Sequence, residues 1–203
     1  MADGFGKYDV YAVAGSIYCY KDTSVLKNKL NIRDAERLKQ IEADITAIRQ
    51  NDMLSRPING RFTANHLRAI HRYLFGDIYP FAGQYRKEDI MKGTTRFLAH
   101  QEIPIKLKAL LTVLRSEAYL EGAGFETIVS RSAYYLAELN YIHPFREGNG
   151  RSIREFMRLL YLKNGFEIDW CSVSTERLLH AMELSVYDTV ELENILCLCI
   201  KKK

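Results

Sequence analysis

The chain has 203 residues, 47% hydrophobic and 27% charged, with 29 lysines and arginines against 25 acidic residues for a formal charge of +4. That mix is too apolar for a disordered chain, and the absence of any run of about 18 apolar residues excludes a membrane-spanning helix. At this length folding buries on the order of 70% of the unfolded surface, enough for a core without disulfides or a structural metal.

Residues Met1 to Tyr11 carry Asp3, Lys7 and Asp9 around no apolar centre, so they do not form a secretory signal and the cytoplasm is the expected location. Asp34 to Gln50 spaces Ala35, Leu38, Ile41, Ile45 and Ile48 at helical steps, with Glu36, Lys39, Glu42 and Arg49 on the outward face. Thr63 is the expected N-cap of a second helix that carries Leu67, Ile70, Leu74 and Phe75 and stops at Gly76. Between Gly83 and Phe97 the helical period lapses. Lys92-Gly93-Thr94 reads there as a turn between two short extended arms, a β-hairpin in competition with an ordinary surface loop. Helical spacing returns from Ile103 to Leu120, with Pro104 suited to the first turn, and ends at Gly122 to Gly124. Further helices are expected over Glu126 to Tyr141 and over Gly150 to Asn164, closed by Gly165, and two shorter ones follow Ser174 and Asp188.

No repeat, low-complexity tract or shift in composition divides the chain, so one mainly helical domain over 1–203 is expected, its core over about residues 20–200. Cys19, Cys171, Cys197 and Cys199 include no Cys-X-X-Cys pair and read as buried reduced thiols. Lys201 to Lys203 reads as a solvated end. His66, His71, His100 and His180 lack partners at metal-ligand spacing and are not expected to bind zinc.

The informative stretch is His143-Pro144-Phe145-Arg146-Glu147-Gly148-Asn149-Gly150-Arg151, followed by Ser152-Ile153-Arg154. Pro144 ends one helix and the amphipathic run from Ile153 belongs to the next, so this is a loop feeding a helix N-terminus. Gly148 and Gly150 free the backbone to take positive φ and turn successive N–H groups into one concavity, to which the helix adds its own amides and the positive end of its dipole. Those are the parts of an anion site. Arg151 and Arg154, three residues apart, put two guanidinium forks beside it, which suits the phosphates of a triphosphate. Glu147 would repel those phosphates unless it helps to hold Mg²⁺, which takes one or two carboxylates with phosphate oxygens. His143 titrates near neutrality when unperturbed and, as a neutral ring, accepts a proton from an incoming hydroxyl: a general base. Phe145 and Pro144 read as packing anchors.

At these residues the chain resembles the adenylyl-transferring members of the Fic/Doc superfamily, whose signature His-X-Phe-X-Asp/Glu-Gly-Asn-Gly-Arg is filled at every fixed position by His143, Phe145, Glu147, Gly148, Asn149, Gly150 and Arg151. Tyr18 to Leu30, His71 to Phe75, Phe81 to Arg86 and Lys92 to Thr94 also look like landmarks of that domain. The resemblance implies a helical domain with a β-hairpin flap over the active site, and a protein adenylyltransferase that uses ATP and Mg²⁺ to move AMP onto a Ser, Thr or Tyr hydroxyl of a target protein. It implies His143 as base, Glu147 as Mg²⁺ ligand, and Gly148, Asn149, Gly150, Arg151 and Arg154 as holders of the phosphates. The flap at Lys92, Gly93, Thr94 and Phe97 would pair with the target as an added strand. Members that transfer the γ-phosphate instead place Lys where Gly150 stands, so Gly150 favours AMP transfer.

Many relatives are held off by a helix bearing Ser/Thr-X-X-X-Glu-Gly/Asn, whose carboxylate competes with the γ-phosphate for the second arginine, here Arg154. Thr189, Glu193 and Asn194 fit those letters, yet their place is that of the last core helix. A separate small antitoxin chain is therefore the preferred expectation. The resemblance also implies a toxin or effector role, with homo-oligomers and delivery into a host cell left open and no membrane or nucleic-acid partner expected. The alternative reading is a non-catalytic, nucleotide-responsive or nucleic-acid-associated helical module, suggested by the basic balance and tail.

Overall fold

The computed structural model describes residues 15–92 and 95–203. Among them the helices run α1 Ala35–Ser55, α2 Ala64–Phe75, α3 Ile103–Ser116, α4 Phe125–Ile142, α5 Asn149–Lys163, α6 Thr175–Leu184 and α7 Val190–Cys199. The strands are β1 Met91–Lys92 and β2 Thr95–Arg96, which pair antiparallel, and β3 Phe166–Ile168 and β4 Ile200–Lys202, which do the same. The fold is thus mainly α with a small hairpin, as the spacing predicted. The hairpin reading holds in place of the loop, although Gly93 and Thr94 lie outside the described residues, as does the stretch Met1 to Tyr11.

The caps follow the sequence. Asp34 accepts from the Arg37 N–H at 2.7 Å to start α1, Thr63 from the His66 N–H to start α2, and Ser174 from the Arg177 N–H to start α6. Helix α1 runs five residues past the predicted Gln50 and stops at Arg56, where Pro57 bars the preceding residue from helical backbone. Helix α3 stops short of Leu120 because Ala118, Tyr119 and Leu120 all turn left-handed.

Apolar residues from every helix share one core, with α5 between α2 and α4 and with α7 against α4. Its largest enclosed side chains include Phe75, Tyr135, Phe145, Phe156 and Tyr161. Lys201 to Lys203 are exposed, as expected of a solvated end, although Lys201 and Lys202 also belong to β4, where Lys201 pairs with Glu167 of β3. Two readings need correction. Cys19 and Cys199 are buried, whereas Cys171 and Cys197 are exposed. Glu42 does not face outward: its side chain is only 13% exposed and turns toward α5.

Candidate active site

His143 sits where α4 ends. Its backbone turns left-handed (φ 44°, ψ 63°), because Pro144 disfavours helix at the residue before it, and its N–H still closes on the Leu139 carbonyl at 3.0 Å. The imidazole is buried, and Nδ1 lies 3.0 Å from the Asn140 carbonyl. A carbonyl can only accept, so Nδ1 carries the proton and Nε2 is the basic nitrogen of the neutral ring. Burial pulls His143 down to about 3, with the positive charges of Arg86 and Lys92 acting in the same direction. The ring is therefore neutral at physiological pH. The Phe97 ring stacks on it, centroids 3.8 Å apart and planes 20° from parallel.

The loop beyond is closed from within by Asn149, whose Oδ1 accepts from the Phe145 N–H at 2.8 Å and whose Nδ2 donates to the Phe145 carbonyl at 2.7 Å. The Asn149 side chain is fully buried, so it shapes the loop and does not line its surface. Phe145 is enclosed and stacks on His71 with centroids 3.9 Å apart. Gly148 takes φ +78° as the N-cap of α5 and brings no capping side chain to the first-turn amides. Gly150, expected to share that left-handed backbone, is instead helical in the first turn of α5; its missing side chain leaves room in the cleft, which it lines.

The two arginines part company. Arg151 reaches α1, donating from Nη1 to Thr46 Oγ1 at 3.0 Å and from Nη2 to Glu42 Oε1 at 2.5 Å, with Glu147 Oε1 3.6 Å away and the Phe75 ring beneath it at 4.6 Å. Arg154 lines the cleft with His143, Gly150 and Lys92. That cleft encloses about 700 Å³ including its mouth, and Trp170, Leu178 and Met182 form an apolar wall opposite. Lys92 of β1 meets Glu183 of α6 across it, Nζ to Oε1 3.8 Å. Glu147 accepts from the Gly148 N–H at 2.9 Å, and burial together with the Glu42 carboxylate pushes it up to about 7 against the pull of Arg151.

Thr189 donates from Oγ1 to Glu193 Oε1 at 2.8 Å, and Asn194 is exposed, bonded to Glu191 of its own helix. Helix α7 is built into the core through Leu192, Ile195, Leu196 and Cys199. Among the described residues α6 lines the cleft, together with Trp170 and parts of α4 and α5, and α7 does not.

Three positioning groups escaped the periodicity argument. His71 is fully buried, accepts from the Gly83 N–H on Nδ1 at 2.8 Å and donates from Nε2 to the Glu147 carbonyl at 2.8 Å. Arg146 pairs with Glu88 at 3.3 Å, and Glu88 also accepts from the Ser16 hydroxyl at 2.6 Å. Glu42 holds both Arg151 and the Tyr79 hydroxyl. Of these, His71 carried a signal only as part of a landmark without a stated role, Arg146 stood at an open position of the motif, and Glu42 read as outward-facing.

The buried rings set the acid limit of the fold. His71 and His143 both sit near 3 in the folded protein against 6.5 in an open chain, and burial lowers His66 as well. Their contribution to stability is complete above 6.5 and is lost as pH falls from there toward 3. Glu147 runs the other way, from 4.5 up to about 7, and offsets one of them between those values. Unfolding near pH 5 should therefore take up about one proton net or more, lowering stability by ~1.4 kcal/mol per pH unit per proton. Urea midpoints measured at pH 7 and pH 5 test this; an equal or higher midpoint at pH 5 would contradict it.

A sequence profile described as the Fic/DOC family matches residues 61–161. The chain is 35% identical over 186 residues to the protein adenylyltransferase VbhT of Bartonella schoenbuchensis, covering 92% of this chain and 39% of that protein. It is 37% identical over 176 residues to a probable protein adenylyltransferase Fic of Salmonella typhimurium, covering 87% of this chain and 84% of that one. Among solved structures, the N-terminal Fic domain of a putative cell filamentation protein from Bartonella quintana, a VirB-translocated effector with bound ADP, superposes with a TM-score of 0.86 at 26% identity. That match covers 92% of this chain and 95% of the other. BepC from Bartonella tribocorum with bound AMPPNP gives 0.85 at 24% identity, covering 94% and 99%.

Proposed function

The chain belongs to the Fic/DOC family, and from that premise we propose that it is a protein adenylyltransferase which moves AMP from ATP to a Ser, Thr or Tyr hydroxyl of a target protein. The observation that carries the reading is a neutral His143, its Nδ1 proton committed to Asn140, in one cleft with Arg154 and the first turn of α5. The target hydroxyl oxygen bonds to the α-phosphorus, the bond from that phosphorus toward the β-phosphate breaks, pyrophosphate leaves, and His143 Nε2 takes the hydroxyl proton. Arg154 and the α5 amides hold the phosphates and answer the charge that develops on them. Arg151 acts one step back, fixing the loop to α1 through Glu42 and Thr46.

Glu147 suits Mg²⁺: it is a hard oxygen donor, and its anionic form, disfavoured by burial and by Glu42, gains from a nearby cation. When bound, the ion neutralises phosphate charge. The flap strands at Lys92 and Thr95 offer their backbone to a target segment, whereas Phe97 faces His143; Gly93 and Thr94, named for the same role, lie outside the described residues. The tie of Glu193 to Thr189 and the packing of α7 support control by a separate antitoxin chain that brings its own carboxylate to Arg154. A toxin or effector role, acting in the cytoplasm or in a host cell, is part of the same reading.

The test is incubation with a cell lysate, Mg²⁺ and ATP labelled at either the α- or the γ-phosphate. Protein should take label from the α position alone; label from the γ position alone would mean kinase chemistry and end the proposal.

A further inference from the structure

Arg86 has no part in the scheme above, yet its side chain is fully enclosed. Nε donates to the His143 carbonyl at 2.9 Å and Nη2 to the Ile142 carbonyl at 3.3 Å, both at the end of α4. Nη1 donates to the Glu88 carbonyl at 2.9 Å and Nη2 also to the Leu98 carbonyl, where the chain enters and leaves the flap. Its backbone N–H donates to the Pro144 carbonyl at 2.9 Å. The Asp89 carboxylate stands 3.7 Å off and is itself 59% exposed, so backbone carbonyls answer most of the charge. Burial pulls Arg86 down to about 10, which leaves it protonated at neutral pH.

A buried guanidinium is costly unless its donors are met, and its planar fork fixes the spacing of whatever meets them. Here the fork spans two parts that have to cooperate, the flap and the turn that carries the base. Two more links run in parallel. The Leu98 N–H donates to the Tyr141 carbonyl at 3.0 Å, and Phe97 stacks on the His143 ring.

We propose that Arg86 is a positioning residue that locks the flap to the His143 turn, so that seating a target segment on the flap and aligning the imidazole are one event. The catalytic consequence rests on the adenylyltransferase reading; the mechanical link does not. A lysine at this position keeps the charge and loses the fork, and a leucine at Phe97 breaks the same link from the half-buried flap side.

Arg86→Lys and Phe97→Leu are compared with the wild type in the whole chain by three measurements: amide hydrogen exchange, nitrogen NMR of the His143 ring, and steady-state kinetics per folded molecule. In Arg86→Lys the flap amides that donate within the ladder or to α4, Lys92, Thr95, Phe97 and Leu98, should lose protection and the His143 ring resonances should shift, while α5 amides keep their protection. The kcat should fall about 10- to 100-fold with KM for ATP within about twofold, since displacing a reacting group by about 1 Å has that scale of effect. Phe97→Leu should move all readouts in the same direction by less, and it decides the matter alone if Arg86→Lys does not fold. Unchanged flap protection with an unchanged His143 signal would overturn the proposal, and so would a KM for ATP that rises in step with the loss of kcat. If flap and ring respond together in a chain whose wild type transfers no AMP, the link stands and the activity reading fails.

Discussion

Replacing His143 by alanine should slow AMP transfer about 10²- to 10⁴-fold, the range a positioned general base contributes, while leaving nucleotide affinity within a few-fold. The reason lies in the division of labour within the cleft. On the adenylyltransferase reading the phosphates would be held by Arg154 and the first turn of α5 and not by the imidazole. The proton of the attacking hydroxyl would go to a ring whose tautomer is fixed from behind by the Asn140 carbonyl. Alanine removes that acceptor and the stack on Phe97, but the left-handed turn is held independently by the Arg86 fork and by the Leu139 carbonyl. Label incorporated from α-labelled ATP, set beside a fluorescent-nucleotide titration, gives the two numbers. A transfer rate within tenfold of the wild type would remove His143 from the role of base.

Gly148→Ala should damage the fold and the activity together. Glycine is required twice at this position. The backbone has φ +78°, which an L side chain resists, and a Cβ placed there would come within 2.2 Å of Cζ and 2.3 Å of Cε2 of Phe75. Phe75 cannot retreat, because it is fully buried in the core and carries the Arg151 guanidinium on its ring. Left-handed strain and overpacking add to roughly 2–5 kcal/mol, a large share of a typical total stability. Thermal unfolding should then fall by about 5–15 °C in a chain of this size. Any transfer that survives below the new midpoint should be reduced, because Phe75 and Arg151 hold the loop from below. A midpoint within about 2 °C of the wild type would show that the core accommodates the methyl group.

Much of the fold could be read from the amino acids because long amphipathic helices announce themselves. Leu67, Ile70, Leu74 and Phe75 all point into the core from α2, and Thr63, Ser174 and Pro104 mark helix starts where the structure has them. The loop from His143 to Arg151 was legible for a different reason, since each residue type there has a narrow range of uses. What stayed hidden depends on contacts between distant segments. Glu42 lies on α1 among residues whose pattern says solvent, and it is the reach of Arg151 from α5, with the Tyr79 hydroxyl, that meets its carboxylate on the inward side. His71 looks like any polar residue on a helix until Gly83 and Glu147 are brought to its two ring nitrogens. Strands of two or three residues are shorter than the period that would reveal them, which is why β3 and β4 went unread. Gly150 shows the opposite error: glycine permits a left-handed backbone without demanding one.

The flap strands contribute two residues each to their ladder, Met91 and Lys92 against Thr95 and Arg96. A polypeptide laid along so short an edge can gain only a couple of main-chain hydrogen bonds, each worth about 0.5–1.5 kcal/mol net. That is millimolar grip at best, indifferent to side-chain identity. If the proposed activity holds, discrimination among clients would therefore fall to broader surfaces that dock at a distance from the hydroxyl, and transplanting the hairpin alone between relatives would not transplant client choice.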